Sequence, residues 1–133
     1  MLTPWDIDVM ARTLYGEARG EPDEGKVAVA HVIRTRWLKG PLRTALAAVC
    51  LKPRQFSCWD DGNRAAMAVV DLESPQFLRC MAIAWGVIAG IIPDNTGGAD
   101  HYLNPKALER LPAWYDPKKV TARHGAHEFL RLA

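Results

Sequence analysis

The sequence has no membrane-length apolar run, little net charge and few cysteines, and each shortage removes a class of function. The longest apolar stretch, Cys80–Ile92 (CMAIAWGVIAGII), follows Arg79. It falls short of the ~20 residues that cross a bilayer, so it is predicted to be a buried core helix, and no stable membrane insertion is expected. The opening MLTPWDIDVM has neither a basic n-region nor an apolar h-region. Synthesis in the cytoplasm without a signal peptide is therefore expected. A net charge of +2 mildly favours an anionic surface but is too weak for nucleic acid. Cysteine is odd in number (Cys50, Cys58, Cys80) with no CxxC pair, which argues against a zinc ribbon. Buried structural thiols made in a reducing compartment are expected, with a Cys50–Cys58 bridge as the alternative. GxSxG, HExxH and the lysine of a phosphate loop are also missing, so acyl-enzyme, zinc-protease and nucleotide chemistry have no local signature.

The chain of 133 residues is 49% apolar and 24% charged, which suits one globular domain, residues 1–133, around a single core. Thr3, Pro4 and Asp6 read as the cap and first turn of a helix. Ile7, Met10, Ala11, Leu14, Tyr15 and Ala18 then recur at helical spacing until Gly20 and Pro22. A second helix is predicted from the acidic Glu21–Glu24 start to about Trp37. Its VAVAHVI core is apolar nearly all round, so it is central and His31 is a core histidine. A short helix over 43–51, a loop KPRQFSCWDDGN and a long helix from Ser74-Pro75 to about 90–93 follow. DNTGGADHYLNP reads as a turn with a short extended piece, 106–111 as another short helix, and VTARHGAHEFLRL as a strand or extended edge.

Glu17 is the unusual acid. It lies in the last turn of the first helix, beside Met10 and Leu14, where the helix dipole opposes its negative charge. Apolar neighbours, and Glu21, Asp23 and Glu24 if close, would also favour the neutral acid. A carboxylic acid held neutral is what general acid catalysis needs. The plainer reading is an exposed glutamate paired with Arg19 or Lys26. No second acid stands in a comparable setting: Asp60, Asp61 and Asp71 read as loop or cap acids, and Asp94 and Asp100 stay open. A one-acid site can still cleave a glycosidic bond when the nucleophile belongs to the substrate.

Two loops offer sugar-binding chemistry. RQFSCW carries Gln55, Phe56, Ser57 and Trp59, and GGADHYLN carries His101, Tyr102 and Asn104. Amides and hydroxyls suit acetamido and hydroxyl groups, and aromatic faces suit the apolar face of a sugar ring. Anchoring of the loops themselves is the competing reading. His124 and His127 lack helical i,i+4 spacing, so no metal site and no cofactor are expected.

These segments together resemble the cell wall hydrolase family of spore-cortex-lytic enzymes and related phage lysins. The resemblance rests on Glu17-Ala18-Arg19-Gly20-Glu21 with Gly25 and VAVAHVIRTR, then Gln55-Phe56-Ser57, then Thr96-Gly97-Gly98-Ala99 with Tyr102 and Asn104, and finally Gly125, His127 and Phe129. It implies a lysozyme-like α+β fold, predominantly helical, with a glycan-binding cleft. It also implies Glu17 as the catalytic acid, Glu21 as a helix-start residue, and Gln55, Phe56, Ser57, His101, Tyr102, Asn104 and His127 as substrate-binding residues. His101 stands where the family usually has an aromatic residue.

The expected partner is the peptidoglycan glycan strand, cut between N-acetylmuramic acid and N-acetylglucosamine. Lytic transglycosylase chemistry is expected, with a hydrolytic muramidase as the close alternative. A silent glycan-binding module and a phage structural protein are rivals from other classes. The setting expected is a monomeric phage endolysin reaching the periplasmic wall of a Gram-negative host after the membrane is opened.

Overall fold

Thr3 starts the first helix as predicted. Its hydroxyl accepts from the Asp6 N–H at 3.3 Å, and the Asp6 carboxylate accepts from the Thr3 N–H at 2.8 Å, closing a capping box. In the computed structural model, which describes residues 2–133, this helix, α1, spans Pro4–Ala18. The predicted stripe faces inward: Ile7, Met10, Ala11, Leu14 and Ala18 are buried and Tyr15 is half-buried. Burying a large side chain of this kind stabilises by about 1.5–3 kcal/mol.

Helix α2 spans Asp23–Lys39, so Glu21 stands before it rather than in it. Ala28 through Ile33 are all buried, which makes α2 central as its all-round apolar pattern requires. His31 is satisfied in the core by the Ile92 carbonyl, 2.9 Å from its Nε2. Helix α3 is only Leu46–Leu51, shorter than predicted. The Ala47 N–H donates to Asp6 Oδ1 at 2.9 Å, tying α3 to the start of α1. Helix α4, Arg64–Ala68, was not foreseen: it has no side-chain cap and buries only Met67, so it leaves no periodic pattern. Helix α5 spans Pro75–Ile88, and the Ser74 hydroxyl accepts from the Phe77 N–H at 3.1 Å. It buries Phe77, Cys80, Ile83, Ala84 and Val87 against α1 and α2, while Leu78 and Trp85 are exposed. The apolar run therefore belongs to a one-faced core helix, not a fully buried one.

Three short antiparallel strands complete the fold: β1 His101–Leu103, β2 Val120–His124 and β3 His127–Leu130, in the order β1-β3-β2. Tyr102 of β1 lies opposite Phe129 of β3. The extended tail is thus a hairpin, turned at Gly125 with φ +58°. Asp94 sets up β1 by accepting from the Thr96 and Gly98 N–H groups at 2.8 and 2.9 Å. The helix predicted over 106–111 is instead a 3₁₀ turn, Pro105–Ala107. Leu108 and Leu111 are exposed, so no burial supports a longer helix there. Among the described residues no helix is long and apolar enough to cross a membrane.

Candidate active site

Gly16 decides what reaches Glu17. A Cβ at position 16 would lie 2.5 Å from the Cys58 Cβ, so only glycine lets the Ser57–Trp59 turn close onto the end of α1. That approach brings two donors to Glu17 Oε2: the Cys58 N–H at 3.2 Å and the Ser57 hydroxyl at 3.3 Å. Tyr102, carried by β1, donates its hydroxyl to Oε1 at 3.0 Å. Both carboxylate oxygens are therefore held from two separate parts of the chain.

Glu17 lines a cavity of about 650 Å³ together with Gln55, Ser57, His101, Tyr102 and Asn104. Six of the eight residues expected at the site thus share one cleft. Phe56 does not: it is 1% exposed, beneath the Arg36 guanidinium, which lies 5.4 Å from its ring centroid. Its role is packing, because in the QFS loop alternate side chains face inward. His127 is not brought to this cavity either. It lies outside the cavity wall, with Nδ1 3.1 Å from Glu21 Oε1 and its ring 5.6 Å from that of Tyr102. Asn104 Oδ1 is buried without a protein partner.

Arg36, Arg54, Asp60 and Trp114 also line the walls and were missed from sequence, with Leu103, Ala107 and Leu108 filling the remainder. Arg36 donates Nε–H to the Asp100 carbonyl at 2.7 Å and approaches Gln55 Oε1 at 3.4 Å. Arg54 has φ +65°, the one positive value for a non-glycine among the described residues, a strained geometry of the kind that clusters at functional sites. Trp114 leans on His101 at 4.9 Å between ring centroids and offers a partly exposed aromatic face. A tryptophan in the Pro-rich PAWYDP loop is the only sequence signal that could have marked it. A second cavity of about 390 Å³ shares Arg36, Gln55 and His101 with the first, so the cleft continues past Gln55.

Glu21 is engaged by His127, Asp23 lies 3.5 Å from Arg79 Nε, and neither lines the cavity. Asp100 supports β1 from behind. Burial pushes its carboxyl up, but donors from His101, Leu132 and Ala133 outweigh this and hold it at about 2. Burial, and then the Glu17 carboxylate, push the Tyr102 phenol well above its ordinary range, so it stays a neutral donor. The three cysteines are free and buried, which answers the Cys50–Cys58 alternative. Burial pushes the Cys50 thiol up to about 12, and burial followed by the Glu17 charge raises Cys58. Neither is poised as a nucleophile. His124 Nε2 meets the Asn95 carbonyl at 2.9 Å, so the two C-terminal histidines face different partners.

Residues 20–130 match the cell wall hydrolase family, a span that begins just after Glu17. A spore cortex-lytic enzyme of Oceanobacillus iheyensis is 33% identical over 127 residues, 90% of this chain and 40% of the relative. One from Bacillus cereus is 33% identical over 135 residues, 95% of this chain and 44% of the relative. The chain thus spans about two fifths of the length of the curated relatives it matches. Among solved structures, the catalytic domain of the germination-specific lytic transglycosylase SleB from Bacillus anthracis superimposes with a TM-score of 0.76 at 31% identity, covering 97% of this chain and 96% of that one. The catalytic domain of the Bacillus cereus SleB protein gives 0.77 at 30% identity, covering 98% and 93%. The expected lysozyme-like architecture is the one observed, and the chain belongs to the cell wall hydrolase family.

Proposed function

We propose that residues 1–133 form one catalytic domain that cuts the glycan strand of peptidoglycan between N-acetylmuramic acid and N-acetylglucosamine, as a lytic transglycosylase with Glu17 as the acid. The observation that carries this is the Glu17 carboxylate opening on the 650 Å³ cleft while Tyr102, Ser57 and Cys58 fix its orientation. The similarity to a protein described as a lytic transglycosylase adds support for the outcome.

In the proposed reaction Glu17 gives its proton to the bridging oxygen, and positive charge develops at C1 of the muramic sugar. The C6 hydroxyl of that sugar attacks C1 and returns its proton to Glu17, leaving a 1,6-anhydro end. Ser57 and Tyr102 suit both stages, because a hydroxyl can turn from donor to acceptor as Glu17 gains and loses its proton. The Cys58 N–H keeps the carboxyl in place throughout. The Gln55 amide suits an acetamido group, and Trp114 and His101 offer a face to a sugar ring.

Hydrolysis by water is the second reading, favoured by one observation: Asp60 lines the same cavity as Glu17 and supplies a second carboxylate. Mass spectrometry of products from purified sacculi separates the two. Anhydro ends that persist in an Asp60→Asn variant support the transglycosylase, whereas reducing ends lost in that variant support the muramidase. Activity that survives dialysis against EDTA supports a metal-free reaction. Parallel digestion of Gram-negative sacculi and spore cortex tests the thin wall expected from sequence. Digestion of cortex alone would place the chain's substrate with that named in its relatives.

A further inference from the structure

Glu21 is held at several points. Its N–H donates to the Ala18 carbonyl at 2.9 Å, and its own carbonyl accepts from the buried ammonium of Lys26. Two glycines make room for its side chain. A Cβ at Gly25 would stand 3.0 Å from the Glu21 Cβ, and one at Gly125 would stand 2.9 Å from Glu21 Oε2. The carboxylate so placed reaches His127 Nδ1 at 3.1 Å. His127 belongs to β3, and its ring meets the ring of Tyr102 edge-on at 5.6 Å. Phe129, two residues along the same strand, stacks on Tyr102 at 5.6 Å and 26°. The Tyr102 ring is thereby held by two β3 aromatics, one of them tethered to the residue four positions after Glu17.

We infer that Glu21 and His127 are positioning residues of the glycan-cleaving site: their contact clasps the start of β3 to the end of α1 and so holds the Tyr102 hydroxyl on Glu17. This rests on Glu17 being the acid. The clasp closes a ring of contacts, Glu17 to Tyr102 to His127 to Glu21, whose two ends are one helical turn apart in sequence. β1 packs chiefly on β3 and on α2, and its Tyr102 hydroxyl reaches α1 at Glu17. Neither Glu21 nor His127 is among the residues lining the cavity that holds Glu17. Their effect passes through the aim of one hydroxyl, and a misplacement of about 1 Å in an active site can lower turnover by up to about a hundredfold.

The test is steady-state kinetics on soluble glycan strands, with wild type, Glu21→Ala, His127→Phe, Tyr102→Phe and the doubles with Tyr102→Phe. His127→Phe keeps a ring against Tyr102 and deletes the Glu21 contact, so it serves if Glu21→Ala does not fold. Either single variant is expected to lower kcat about tenfold with KM within about twofold, and to lower it no further once Tyr102 is already phenylalanine. Full kcat in both single variants, losses that multiply in the doubles, or losses that follow the fall in Tm would overturn the clasp. A Glu17→Gln protein that still cleaves, or a wild type that does not, instead sinks the reading of the site. Crystal structures then decide the clasp on their own: in Glu21→Ala the Tyr102–Glu17 distance should exceed hydrogen-bonding range, and an unchanged contact rejects the inference.

Discussion

The Tyr102 hydroxyl lies 3.0 Å from Glu17 Oε1, although 85 positions separate the two residues. One comes from the last turn of a helix and the other from the middle of a three-residue strand. Their meeting defines which face of the Glu17 carboxyl is spoken for and which is left to the cleft.

Replacing Glu17 by glutamine should leave the fold intact, since the amide has nearly the same shape and its oxygen can still accept from Cys58. Lysis of purified peptidoglycan should fall at least about a hundredfold, the scale of a lost general acid. Turbidity loss near the wild-type rate in a folded variant would reject Glu17.

Tyr102→Phe removes the donor and keeps the ring against Phe129. Turnover should drop about tenfold, with little change in KM or in melting temperature. Because the phenol is pushed well above its ordinary value of 10, Tyr102 should add no alkaline limb to the kcat profile up to about that pH. A wild-type limb near 10 that disappears in the phenylalanine variant would contradict this.

Trp114→Ala should act on binding rather than on chemistry. An aromatic platform contributes about 0.5–1.5 kcal/mol, which corresponds to a KM rise of about two- to tenfold at nearly constant kcat. An equal fall in kcat with KM unchanged would remove Trp114 from the sugar-binding wall.

Asp100 makes the fold sensitive to acid. Its folded value of about 2 lies below its ordinary 3.8. The stability it contributes is therefore complete above about pH 4 and is lost as pH falls through about 2. Asp100→Asn should lower stability near neutrality by about 2 kcal/mol and flatten the dependence between pH 4 and 2. Denaturant titrations at pH 6 and pH 2.5 check both. An equal loss at the two pH values would assign the effect to packing instead.

Local signals in the chain were strong wherever one element explains itself. Thr3, Pro4 and Asp6 mark a helix start because the cap satisfies donors within one turn, and Ser74-Pro75 does the same for α5. The all-round apolar stretch of α2 has no place but the centre. Glu17 was legible because a carboxylate at a helix end, beside an apolar stripe, is chemically out of place. Phe56 and His127 lie outside the cavity wall, which the sequence hid for a shared reason. Both belong to segments next to the cleft, and nothing local says which side chains of an irregular loop or short strand face outward.

The sequence by itself determined the long helices α1, α2 and α5, the order of the segments and the family they resemble, and it singled out Glu17, because these depend on periodicity, caps and residue types at short range. Only the tertiary structure decided which groups meet Glu17. The Ser57–Cys58 turn arrives because Gly16 leaves it room, Tyr102 arrives on a strand paired with Phe129, and Glu21 leaves the helix start to hold His127. These are contacts between surfaces far apart in the chain. They are set by close packing and by missing Cβ atoms, which carry no periodic signal to be read in advance.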